Sequence, residues 1–165
     1  MKVKIRPMKQ HDLPYVKQLN EQCLPENYPQ NLWLALFTTS GGRSHSYVAA
    51  HGTGIVGYIF GTKSGHIISF AVDEKYRKKG LGKSLIQCCL QSYAKVSGGI
   101  LIKLNVRTTN EPAIALYEKF GFQIAAQVMD YYKNPVEDAY EMNRLSGDIS
   151  TEPIRFKFNL NGLKE

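Results

Sequence analysis

Long apolar runs are missing from this sequence, and no uninterrupted stretch approaches the roughly 18 residues of a membrane-spanning helix. The opening MKVKIRPMKQHDL likewise lacks the continuous apolar core of a secretory signal. Cysteine is scarce: Cys23, Cys88 and Cys89 cannot all pair within the chain, and two are sequence neighbours, which argues against a disulfide framework and for a reducing compartment. The histidines, His11, His45, His51 and His66, show no His-Glu-x-x-His or Cys-x-x-Cys spacing, so no metal site is expected. Internal repeats and low-complexity linkers are absent, as are helix-turn-helix, RNP and zinc-finger signatures. These absences predict a soluble, cytoplasmic chain with no membrane partner and no specific nucleic-acid partner.

What is present fits one globular domain: 165 residues, 43% of them hydrophobic, are enough to bury a core. The net charge of +7, from 21 Lys and Arg against 14 Asp and Glu, suits an anionic partner without choosing among nucleotide cofactor, nucleic acid and ribosome surface. VKIRPM reads as a strand, His11 to Cys23 as a helix on the spacing of Leu13, Val16 and Leu19, and QNLWLALF as a second, short helix. TTSGGRSH is a polar loop by composition. SYVAA, IVGYIFG and GHIISFAV, joined by HGTG and TKSG, form an antiparallel meander with glycine turns. A helix follows from Leu81 to Ser97, stopped by Gly98 and Gly99; then come the strand ILIKLNV and a helix capped by Asn110, with Pro112 in its first turn and Gly121 ending it. FQIAAQVM and AYEMNRL are strands around the loop DYYKNPVED. The order βααβββαβαββ is a mixed α/β domain over residues 1–145. Residues 146–165 form a C-terminal extension whose alternating IRFKFNL suits an added edge strand or pairing with a second subunit.

DEKYRKKGLGKSLIQ sets cations directly against a Gly-Leu-Gly triplet at the start of a helix, where main-chain N–H groups and the helix dipole favour an anion such as phosphate. A surface turn with scattered lysines is the alternative. GKS at 82–84 does not complete a P-loop, because the first glycine would fall on Arg77. A dinucleotide fingerprint fails too, since Leu85 stands where its third glycine belongs and a meander precedes it instead of a βαβ unit.

Arg77-x-x-Gly80-x-Gly82 resembles the acyl-CoA diphosphate loop of the GNAT acetyltransferase superfamily, and NVRTTNEPAIALYEKFGF resembles the second half of its signature. CLPENY (23–28), GHIISFAV (65–72) and YYKNPVEDAYEM (131–142) sharpen the match to the NatA catalytic-subunit type of protein N-terminal acetyltransferase and its single-chain archaeal relatives, over roughly Lys2 to Leu145. The resemblance implies the GNAT fold, a mostly antiparallel twisted sheet with flanking helices, acetyl-CoA as cosubstrate and protein or peptide N-termini as acceptors. It leaves a ribosome or an auxiliary subunit open as a partner. It also implies a cofactor site made of main-chain amides of Phe70, Ala71 and Val72, the loop Arg77, Lys78, Lys79, Gly80, Leu81, Gly82 and Lys83, and Asn110 and Tyr117. Gly82 is often alanine in such chains, Leu32 and Trp33 stand where some relatives have aromatic pairs, and Asn105 takes a position that is acidic or histidine in relatives.

Acetyl transfer from a thioester to an amine needs a neutral amine, a stabilised oxyanion and a proton for the departing thiolate. A protein α-amine has a reference pKa near 7.7–8.0 against about 10.4 for lysine, so deprotonating it costs roughly 3.5 kcal/mol less, and a weak or water-relayed base suffices. By resemblance Glu26 is the first candidate base; its other reading is a cap for the following helix. His66 is the second, against the reading of a satisfied core histidine. Tyr117 would give the thiolate its proton or simply pack on its helix with Ala113 and Phe120, and Tyr28 and Tyr132 would wall the substrate's first residues or pack as ordinary aromatics. A covalent acetyl-cysteine route lacks a base beside Cys23 that the sequence identifies. The alternatives are another amine acetyltransferase of the superfamily, such as the ribosomal-protein type, a non-catalytic basic nucleic-acid- or ribosome-binding module, and an acetyl-CoA-binding regulator.

Overall fold

A computed structural model describes residues 2–160. Antiparallel pairing ties β1 (Val3–Pro7), β2 (Tyr47–His51), β3 (Gly54–Gly61) and β4 (Ile67–Val72) into one sheet in that order. β5 (Leu101–Arg107), β6 (Gln123–Lys133) and β7 (Val136–Leu145) form a second antiparallel sheet with β7 in the middle. Among the described residues the sheets join at one parallel bridge, His66 against Lys103, where the Lys103 N–H donates to the Gly65 carbonyl at 2.9 Å. Gly65 has φ +90°, and a Cβ there would lie 2.3 Å from the Leu101 carbonyl oxygen, so a side chain would push β4 away from β5.

Alternation along β3 feeds two cores, which is why IVGYIF reads as a nearly continuous apolar run. Tyr58 and Phe60 meet α1 (Leu13–Cys23) and α2 (Gln30–Thr38), where Leu13, Val16, Trp33 and Phe37 are buried. Ile59 faces the other way, joined by Val56 across a bulge opposite Ala49 and Ala50, in a core with Leu85, Cys89 and Tyr93 of α4 (Leu81–Ala94) that continues through Ile102, Leu104 and Val106 of β5 to Tyr117 of α5 (Glu111–Lys119). Asn110 caps α5, accepting the Ala113 N–H at 3.3 Å, and Gly121 turns the chain away at φ +82°.

The structure corrects several local expectations. The segment expected as a polar loop contains a short helix, α3 (Gly42–His45): His45 is buried against α4, its Nδ1 2.8 Å from Ser92 Oγ and its ring stacked on Tyr93. DYYKNPVED is not a loop. The strands run through it, pairing Tyr132 with Glu137 and Lys133 with Val136, and only Asn134 and Pro135 turn the chain. The first helix starts at Leu13 after a 3-10 turn at Gln10–Asp12, and the helix from Leu81 ends at Ala94, short of Ser97. No strand forms between 146 and 160. The alternation there is spent on packing: Phe158 and Leu160 lie against the α4 core, and the Asn159 N–H donates to the Lys79 carbonyl at 3.1 Å. No helix among the described residues is long and apolar enough to cross a membrane.

One ion pair locks the first turn to β1. Asp12, whose side chain is 3% exposed, takes both arms of Arg6, at 2.7 and 2.8 Å, and the Lys9 N–H at 2.8 Å. Burial raises its pKa, but the Arg6 hydrogen bonds, the Lys9 N–H and the Arg6 charge outweigh that, and the carboxyl sits below its ordinary value. A depressed folded-state pKa stabilises above the unfolded value of about 3.9 and is lost as pH falls through the folded one. Asp12→Ala should therefore lower stability at pH 7 by about 2–3 kcal/mol in urea unfolding, and the difference from the unsubstituted protein should shrink below about pH 4.

Candidate active site

Beyond the His66 bridge, β4 and β5 part around a cleft of ≈ 1090 Å³, lined by residues from Ile67 to Val72 on one side and from Leu104 to Arg107 on the other. Its phase follows from the β3 ladder. Asp73 N–H donates to the Val56 carbonyl at 2.9 Å, and pairing alternates along an antiparallel strand, so Ala71 turns its main chain to Tyr58 while Phe70 and Val72 turn theirs to the cleft. Of the expected main-chain donors, Ala71 is thus withdrawn.

At one end the chain turns sharply into α4. Lys78 at φ +58° and Gly80 at φ +93° are both left-handed, a conformation that aims successive N–H groups into one hollow. The first-turn N–H groups of α4 have no intrahelical acceptor and point the same way. Arg77 pins the turn to β4, its Nε donating to the Val72 carbonyl at 2.8 Å. Arg77, Lys78 and Gly82 line the cleft; a Cβ on Gly82 would sit 3.2 Å from the Phe70 ring. Lys79, Gly80, Leu81 and Lys83, expected there too, do not line it. The Leu81 side chain is core and Lys83 is exposed, so Gly80 and Leu81 can serve this hollow only through the main chain. Left-handed turn, helix dipole and cations together suit a diphosphate, and the free edge of β4 suits an extended amide chain, the two parts of a coenzyme A molecule that precede its thiol.

The other end is built by an ion cluster. Arg107, at the end of β5, holds the Glu26 carboxylate on one side and Glu137 at 3.3 Å on the other, donates to the Asn134 and Pro135 carbonyls at 3.2 and 3.0 Å, and lies over the Tyr132 ring at 4.2 Å. Glu26 therefore does not cap α2, whose N-cap is Pro29. The backbone of Glu26 is fixed from beneath: buried Asn20 of α1 donates to its carbonyl at 3.0 Å and to Tyr58 Oη at 3.1 Å, and Tyr58 continues to Ser69 of β4 at 2.7 Å. Tyr28 stands edge-on to Trp33, ring centroids 5.4 Å apart. Glu26, Tyr28, His66 and Tyr132 all line the cleft.

Electrostatics differ among these groups. Burial and the Lys103 charge lower the His66 pKa against the pull of Glu141, so the imidazole is neutral at neutral pH. Tyr132 is pushed up by burial and by Glu26 against the opposing Arg107, and Tyr28 by burial, Tyr131 and Glu26, so both keep their protons. Tyr117, 8% exposed, packs on Phe122 with centroids 5.9 Å apart and on Phe70 at 6.4 Å, while its hydroxyl has no hydrogen-bond partner among the described residues; burial pushes its pKa up. Packing and cleft lining are both true of it. Cys23 also faces the cleft, its Sγ 3.8 Å from the Val72 carbonyl, with burial raising the thiol pKa against Arg77. Asn105 donates to Tyr131 Oη at 3.2 Å.

Arg107 and Asn20 are absent from the sequence-based site. Asn20 carries a readable signal, a polar residue one turn from Val16 on the apolar stripe of its helix. Arg107 carries none locally, because its partners lie at positions 26 and 137.

A model of the Acetyltransferase (GNAT) family matches residues 13–122. An N-alpha-acetyltransferase of Saccharolobus solfataricus is 32% identical over 155 residues, 85% of this chain and 91% of the relative. The crystal structure of Ard1 from Thermoplasma volcanium superposes with a TM-score of 0.78 at 32% identity, covering 88% of this chain and 98% of that one. Arabidopsis thaliana Naa50 in complex with the bisubstrate analogue CoA-Ac-MVNAL gives a TM-score of 0.75 at 27% identity over 87% of this chain and 99% of that one. A splayed antiparallel sheet with flanking helices, a left-handed turn at a helix N-terminus and these likenesses lead to one statement: the chain belongs to the GNAT family of acetyltransferases, acetyl-CoA-dependent enzymes that acetylate amines.

Proposed function

We propose that this acetyltransferase acts on the α-amine of protein or peptide N-termini, by direct attack of that amine on the acetyl thioester. The observation that carries the reading is one cleft holding, at one end, the turn at the start of α4 and, at the other, Glu26, His66, Tyr28 and Tyr132 around Arg107. The relatives named N-alpha-acetyltransferase support it, as does the Arabidopsis protein bound to CoA joined to a peptide.

Acetyl-CoA supplies the activated acyl group. Arg77, Lys78 and the main chain of Gly80 to Lys83 would hold its diphosphate, and the Phe70 and Val72 N–H groups would meet its amide chain and the thioester carbonyl. Neutral His66 has the capacity to accept a proton from the incoming ammonium, directly or through water. Glu26, fixed on Arg107, sets a negative charge beside that ammonium and is the second acceptor. Protonated Tyr117 would give its hydroxyl proton to the departing thiolate; a thiolate, whose thiol has an ordinary pKa of about 8.5, needs that proton only modestly near neutral pH. Tyr28 and Tyr132 would flank the first residues of the peptide with one apolar face and one hydroxyl each.

Incubation with acetyl-CoA and peptides beginning Ser, Ala, Met-Leu or Glu should add one acetyl group at the N-terminus by mass, and none to N-terminally blocked peptides carrying a free lysine; the reverse pattern would reject the α-amine as acceptor. Glu26→Gln should reduce kcat about 10- to 100-fold while leaving CoA affinity in calorimetry within about twofold, and full activity would remove Glu26 from the chemistry. Gly80→Glu puts a side chain on a left-handed residue and against the Lys157 carbonyl, so the turn should be displaced and CoA binding lost; unchanged affinity would contradict the loop assignment.

A further inference from the structure

The extension after Leu145 is unaccounted for by the cleft chemistry, yet it is held along α4 and reaches the turn that opens the helix. Gln91 on α4 donates through Nε2 to the Ser150 carbonyl at 3.1 Å and to the Glu152 carbonyl. Ile149, Phe158 and Leu160 pack on the core that includes Leu81 and Tyr76. At its far end the Asn159 N–H donates to the Lys79 carbonyl at 3.1 Å, and the Lys157 carbonyl lies 2.7 Å from where a Gly80 Cβ would be. The contact grips left-handed Gly80 and Lys79, the residue between the two left-handed positions of the turn. It does so from outside: Arg77, Lys78 and Gly82 line the cleft, and no described residue beyond Asn134 does.

We propose that residues 157–160 are a positioning element for the cofactor turn, holding Lys79 and Gly80 from behind in the conformation that directs their neighbours' N–H groups at a diphosphate. The inference rests on the reading of that turn as the CoA site. The segment touches no cofactor itself. It acts by removing alternative conformations of Lys78 to Gly80, which a bound anion would otherwise have to order. By linkage, cofactor must tighten the docking of the segment as much as the segment tightens the cofactor.

The test uses the full chain and coenzyme A. Asn159→Pro removes the main-chain N–H that donates to the Lys79 carbonyl. It should weaken CoA binding in calorimetry about three- to tenfold and raise KM for acetyl-CoA by the same factor, with kcat at saturating cofactor and KM for peptide within about twofold. In the unsubstituted protein, CoA should slow hydrogen exchange at the Asn159 amide together with the amides of Gly80 to Lys83. This second measurement decides the matter should the variant fail to fold. An unchanged affinity, or a lower melting temperature with affinity intact, overturns the proposal. Tighter binding, or faster exchange at Asn159 with CoA, overturns it in favour of a segment that competes with cofactor. Failure of the unsubstituted protein to bind CoA overturns the turn assignment itself, a result distinct from a normal affinity lost by no variant.

Discussion

Everything in the site follows from two strands that touch at one place. β4 and β5 run in the same direction, and the Lys103 N–H bonded to the Gly65 carbonyl is where they meet. Had they stayed paired, the cleft would be an ordinary sheet interior with every donor satisfied. Because they part, β4 keeps a free edge inside the protein, and a buried edge demands partners. Among the described residues the Val72 carbonyl has two, Cys23 Sγ and Arg77 Nε, and the outward N–H groups of Phe70 and Val72 have none, which leaves them to whatever enters. A ligand built as a chain of amides ending in a diphosphate meets both this edge and the helix N-terminus beyond it.

Arg107 does at the acceptor end what Gly65 does at the pivot. It draws together the segment after α1, the end of β5 and the β6–β7 turn, three pieces remote in sequence, with a side chain that is 14% exposed. Carboxylates at the edges and an aromatic ring against one face leave the cation little freedom, and an Arg suits this because its planar fork bonds in several directions while its face stacks. The consequence for Glu26 is orientation: its oxygen toward Arg107 is committed, and Asn20 holds its main chain. Glu26 thus enters the chemistry as a placed charge, and neutral His66 complements it as the group with a nitrogen lone pair on offer.

Local chemistry was readable from the sequence and packing was not. The meander, the Asn110 cap and the stop at Gly121 depend on residues within a few positions, and they stand where the pattern puts them. The short helix at Gly42–His45 was hidden because its polar composition says loop while its place is decided by His45 reaching Ser92, far along the chain. The Asp130 to Asp138 stretch was hidden because turn-forming residues suggested a long loop, whereas Asn134 and Pro135 suffice to turn the chain and β6 and β7 continue on either side, with a bulge between Val128 and Tyr132. In the glycine motif the pattern located the turn but not the division of labour: Leu81 belongs to the core, and the Ala71 main chain belongs to β3. Arg107 shows the limit most clearly, since an ion pair between positions 26 and 107 has no signature in either neighbourhood. The tail shows a milder version, in which an alternating pattern suggested an edge strand, none forms, and the apolar residues pack on the core instead.

The thiols are unequally placed, and that has a practical side. Cys88 is 8% exposed and Cys89 fully buried inside α4, with burial pushing the Cys88 thiol up to about 11, so neither offers thiolate at ordinary pH. Cys23 alone of the three lines the cleft, where burial raises its thiol pKa against the pull of Arg77. The protein therefore carries a native attachment point for a maleimide dye at the mouth of its working groove, and the labelling rate becomes a gauge of occupancy without any engineered residue.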